Sequence, residues 1–163
     1  MTKKTFKKIK KNRAFVILFA VTISSILLSI ALGVANISFR EIKFTTSAKD
    51  SGNAFFAADA GIECAMVNEK STGSVFVSPS SPFTITCNDN SIIVTEDQAS
   101  YWSFTISGLG DGGGGCAKVT VDKTDASPDP ITTVISKGYN NGGGVGTCIP
   151  GLNTVERQIV LSY

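Results

Sequence analysis

Four cysteines, Cys64, Cys87, Cys116 and Cys148, are the side chains of this chain best placed for chemistry, and there is no histidine. The commonest general base and the commonest metal ligand are therefore missing. None of the cysteines stands in a CxxC or CxxxxC pair, so the spacing of a zinc site is absent too. An even number of widely spaced cysteines reads as two disulfides made in an oxidising compartment, in preference to reactive thiols. Asp59 and Glu63 stand four residues apart. On a helix they share a face, where like charges slightly oppose each other, and a solvated face is favoured over acid–base work. No D-x-[DN]-x-[DN]-G loop holds Asp89, Asp97 and Asp111, so a calcium site would have to be assembled in space from them, and no metal is predicted. The glycine-rich stretches 108–115 and 140–146 neither lead a strand into a helix nor carry Lys-Ser/Thr. They read as surface loops rather than a phosphate cradle. Trp102 and Tyr101 read as sheet core and sheet surface, not as a sugar platform. The expectation is a protein without enzymatic activity or cofactor.

The elements that place these residues begin with residues 14–39, which carry no charged side chain. As a helix they would be roughly 39 Å long, enough to cross a ~30 Å hydrocarbon core. Before them come Lys3, Lys4, Lys7, Lys8, Lys10, Lys11 and Arg13, with no acid. That asymmetry predicts a cytoplasmic N-terminus and an exported remainder. The rest of the chain holds eight basic and thirteen acidic groups, so it offers no broad basic footprint for nucleic acid. Cleavage after Ala35, at the small-x-small run 33–35, is the secretory alternative.

No proline interrupts residues 40–70, so the helix is expected to continue, ending near Gly73. Phe56, Ala60, Cys64 and Val67 recur at helical spacing and predict its buried face. Gly33, Gly52 and Gly61, with Ser24, Ser25, Ser29 and Ala31, would let neighbouring helices approach closely. Strands are predicted over 74–77, 83–87, 92–96, 101–107, 116–122, 131–139 and 155–163, with Pro79 and Pro82 bracketing a turn and residues 88–91 a tight hairpin. The period-2 alternation of Trp102, Phe104 and Ile106, or of Ala117, Val119 and Val121, predicts a half-buried antiparallel sheet. The apolar sheet face and the helix face would cover each other, giving an α+β fold.

A short basic leader, Arg13-Ala14-Phe15, a long apolar helix and a small disulfide-bearing β domain together resemble a type IV pilin or pseudopilin. The segment SGNAFFAADAGIECAM, residues 51–66, resembles the helix of PilX-like minor pilins, and TTVISKGYN followed by a cysteine loop and TVERQIVLSY resembles the same group. The resemblance implies a lollipop-shaped subunit. Its parts would be a leader over 1–14, a membrane and filament-core helix over 15–39, a helix continuation over 40–72 and an extracytoplasmic β domain over 73–163. It implies cleavage between Ala14 and Phe15 by a prepilin peptidase, and methylation of Phe15. The family prefers glycine where Ala14 stands. It also usually carries glutamate at the fifth mature position, where this chain has Phe19, which argues for a minor subunit rather than the repeating one. The implied partners are other pilin subunits, the inner-membrane assembly platform and, before assembly, membrane lipid. No nucleic acid is expected for this subunit alone.

Of three disulfide connectivities, Cys64–Cys87 with Cys116–Cys148 is favoured: the first clips the helix to an early strand, the second ties a strand to a later loop. Asp59 and Glu63 are expected to pair with Arg40, Lys43 or Lys49 of a neighbouring subunit. The rival readings are a secretion-system pseudopilin, which shares the helix and the cut, and a signal-anchored surface ectodomain or adhesin that never polymerises.

Overall fold

The computed structural model describes residues 11–70, 73–77, 82–125, 131–142, 144 and 146–163, and only the backbone of residues 11–14 and Asp111. The leader residues 1–10 and the turn at Pro79 lie outside them. One helix, α1 (Lys11–Lys70), precedes six strands: β1 (Phe83–Cys87), β2 (Asn90–Gln98), β3 (Tyr101–Leu109), β4 (Gly115–Asp122), β5 (Thr133–Tyr139) and β6 (Glu156–Ser162). The chain divides into two compact units, Met1–Thr46 and Ser47–Tyr163.

In the first unit the described residues are helix, and its side chains from Phe15 onward are exposed. By length and composition α1 is apolar enough to cross a membrane. Three hydroxyls within its apolar stretch are satisfied by the helix itself. Thr22 Oγ1 donates to the Phe19 carbonyl at 2.9 Å, Ser25 Oγ to Thr22 at 2.8 Å and Ser29 Oγ to Ser25 at 2.8 Å. Such back-bonding lets polar side chains stand in an apolar setting without an orphaned donor.

In the second unit residues 47–70 of α1 pack on a six-stranded antiparallel sheet ordered β1-β2-β3-β4-β5-β6. This is the α+β arrangement that the alternating patterns predict. β1 and β2 are joined by Asn88 and Asp89 alone, since Cys87 pairs with Asn90. Both turn residues have positive φ, 48° and 60°, the conformation a two-residue hairpin needs and Asn and Asp tolerate. The turn is thus tighter than the four residues expected.

The core holds Phe76, Val94, Trp102, Phe104, Val119, Val121 and Val134, with Ala57, Ile62 and Ala65 from α1. The helix buries Ala54, Ala57, Ala58, Gly61, Ile62, Cys64 and Ala65. Phe56 is 68% exposed and Val67 64%, so the expected buried face is wrong at those two positions. The reason lies across the interface in β5. A Cβ at Gly138 would overlap the Ala54 carbonyl and lie 2.8 Å from Ala58 Cα, and one at Gly61 would lie 2.8 Å from Val119 Cγ2. Backbones as close as those of Gly138, Ala54 and Ala58 admit only alanine and glycine there, while Ile62 and Cys64 enter the core further along the helix. Gly61 therefore serves helix-on-sheet packing rather than helix-on-helix packing.

Residues 74–77 are a turn and not the expected strand. The Phe76 N–H is bonded to Ser74 Oγ at 3.2 Å, and the Phe76 ring enters the core with centroids 5.8 Å from Trp102 and 5.9 Å from Phe83. β5 begins at Thr133 rather than residue 131, although Thr132 and Tyr163 still exchange two backbone hydrogen bonds beyond it.

Candidate functional site

Cys64 on α1 is bonded to Cys87 at the end of β1, closing 23 residues. Cys116 at the start of β4 is bonded to Cys148, closing 32 residues. Loops of these lengths imply roughly 3–4 kcal/mol each in the chain-entropy account. The two bonds serve different faces. Cys64 and Cys87 belong to the main core. Cys116 alternates with Ala117 and so points to the other side of the sheet, where it forms a second small cluster with Tyr139 and Cys148. Burial, followed by a hydrogen bond to Glu156 and the Glu156 charge, raises the Tyr139 hydroxyl to about 12. Lys137 Nζ reaches the same Glu156 at 3.8 Å.

The two glycine-rich stretches flank this cluster. Gly110, Gly112, Gly113, Gly142 and Gly146 all have positive φ. The Gly146 N–H donates to Ser107 Oγ at 2.9 Å, joining the second stretch to β3. Beside this junction the outer sheet face forms an open hollow of about 840 Å³. Its lining mixes hydroxyls such as Thr95, Ser103 and Thr120 with the apolar Ile92, Ile93 and Phe104, and among the described residues Lys118 is its one cation.

The residues expected to make assembly contacts are divided between the two units. Phe19, Arg40 and Lys43 are exposed in the first unit. In the second unit Lys49 and Glu63 are exposed and Asp59 is half-buried. Among the described residues Asp59 and Glu63 have no ion-pair partner. Phe15 is 74% exposed, and the Ala14 side chain lies outside the described residues. Asp89 and Asp97 stand at opposite ends of β2 and cannot share an ion, since an extended strand rises about 3.3 Å per residue.

One charged cluster has no signature in the sequence. Lys123, after β4, meets Glu69 near the end of α1, and its Nζ lies 2.8 Å from Ser74 Oγ. Ser74 Oγ is also bonded to the second Glu69 oxygen. The lysine and glutamate side chains are 18% and 12% exposed. Positions 69 and 123 are too far apart for any local pattern to pair them. A lysine ion-paired to a carboxylate, with a serine hydroxyl bonded to both, forms a clamp and not a nucleophile–base pair. Nearby, burial and then the Glu69 charge raise Tyr163, whose ring centroid lies 5.7 Å from Lys70 Nζ.

No protein-family model, curated protein or solved structure matches this chain.

Proposed function

We propose that the chain is a minor type IV pilin-like subunit, a structural protein rather than an enzyme. It would be held in the membrane by residues 15–39, cut before Phe15 and drawn into a surface filament by helix packing. One observation carries the reading. A helix that is uncharged and exposed over residues 15–39 runs on, in the same element, into a layer of a small disulfide-bonded antiparallel domain. Among the described residues the side chains of the first part are exposed, and close-packed copies of the same helix would cover them. The Ser25, Ser29 and Gly33 spacing would let them approach. The charged neighbours Arg40, Lys43, Lys49, Asp59 and Glu63 would then meet across subunits as exposed pairs, setting register more than affinity.

The test is the mass of the N-terminal peptide from membrane-purified protein. A methylated Phe15 is the expected result. A Met1 or Thr2 start would leave a plain signal anchor, and a start at Asn36 would mean a secreted domain. Either would end the filament reading.

A further inference from the structure

Asn141 is the one asparagine in the sequence followed by glycine. We propose that Asn141–Gly142 is a site of self-modification, where the Gly142 backbone nitrogen displaces the side-chain amide of Asn141. Asn141 is exposed. The Gly142 N–H donates to Asn141 Oδ1 at 2.8 Å, so the attacking nitrogen is folded against the carboxamide it would attack. Gly142 has φ +115°, and a Cβ there would come within 2.9 Å of the Ile149 carbonyl carbon. The position is confined to glycine, and no side chain shields the nitrogen.

Hydrogen bonds hold the backbone on either side of the Asn141–Gly142 peptide. Asn140 N–H donates to the Val155 carbonyl at 3.2 Å, and Asn140 Oδ1 accepts from Val155 N–H at 2.7 Å. The Gly142 carbonyl accepts from Ile149 N–H at 2.9 Å. Asn140, whose side chain is thus engaged and whose successor carries a side chain, serves as an internal control.

The step needs only water and hydroxide. Hydroxide removes the Gly142 amide proton, and the nitrogen lone pair forms a bond to Asn141 Cγ. The Cγ–Nδ2 bond breaks, and the nitrogen leaves as ammonia after taking a proton from water. Water then opens the cyclic imide at either carbonyl, giving an aspartate or an isoaspartate. Nothing is oxidised or reduced. The product adds a negative charge and, in the isoaspartate, one backbone carbon, next to the Gly142–Ile149 hydrogen bond and so beside Cys148.

The test is peptide mass mapping of the full chain after incubation over a range of alkaline pH. The same chain, reduced and unfolded in urea, is the reference. Conversion of Asn141 from amide to acid is expected to rise with pH and to run at least as fast in the folded chain as in the unfolded one. Asn140 and Asn153 should keep their amides. The variant Asn141→Gln, which lengthens the ring that must close, should lose the reaction. Slower conversion in the folded chain, equal conversion at Asn140 or Asn153, or unchanged conversion in Asn141→Gln would overturn the proposal.

Discussion

Gly61 of α1 lies against Ser136 of β5, so close that a methyl group at position 61 would overlap the Ser136 hydroxyl. That hydroxyl is fully buried and has no hydrogen-bond partner among the described residues. Two opposed effects decide what Gly61→Ala does. Alanine gains up to ~1 kcal/mol of helix propensity over glycine. Overpacking against Ser136 and Val119, which sit on central strands, costs about 1–3 kcal/mol. The overlap wins, and Gly61→Ala is expected to lower stability. Ser136→Ala is expected to raise it by about 1 kcal/mol, because it removes an orphaned polar group. The double variant should cost less than the two changes predict separately, since the nearest obstacle is gone. Urea unfolding of the detergent-solubilised chain, followed by fluorescence of the single tryptophan, Trp102, measures all three.

The Glu69–Lys123 contact should behave as a shielded pair and not as a surface one. Replacing Lys123 with methionine leaves the Glu69 carboxylate with Ser74 as its remaining partner, in a site 12% exposed on the glutamate side. The expected loss is about 1–3 kcal/mol, above the 0–1 kcal/mol of an exposed pair. Lys123→Met combined with Glu69→Gln should lose less than the sum of the single changes. The urea midpoints of the three variants give the coupling energy directly.

Tyr139 sets a limit on stability at high pH. Its hydroxyl is held neutral in the folded chain, at about 12 against an ordinary 10.0. A raised folded value means that the native state keeps its proton where the unfolded chain has lost it. The contribution is full below pH 10 and disappears as pH rises from about 10 to about 12, to a total of about 3 kcal/mol. Tyr139→Phe should flatten that decline. Unfolding midpoints of both proteins between pH 8 and pH 12 check it, with disulfide integrity verified at each point.

The strands were legible because their side chains alternate. Trp102, Phe104 and Ile106 against Ser103, Thr105 and Ser107 can satisfy only a sheet with one buried face. The length of α1 was legible from the absence of proline. Its buried face was not. Alanine and glycine carry little hydrophobic signal, so the period was read from Phe56 and Val67, which are large and exposed. The close approach of Gly138 to Ala54 and Ala58 depends on two backbones meeting across the fold, and no local pattern encodes that. Residues 74–77 misled because Val75, Phe76 and Val77 have strand propensity, while the Ser74 hydroxyl and the core's need for the Phe76 ring impose a turn. Of the candidate site, the cysteines were visible by count and spacing, but the Glu69–Lys123–Ser74 clamp is a product of chain reversal alone.

Each strand of the sheet pairs only with its neighbours in the chain. The sheet can therefore grow in the order in which the polypeptide is made, one hairpin at a time, with no strand forced between two that have already met. Contacts of short sequence separation form quickly and leave few long-lived unpaired edges. Only the helix must wait. Its glycine and alanine face finds its surface when β4 and β5 are in place, so the first element synthesised is among the last to be fastened.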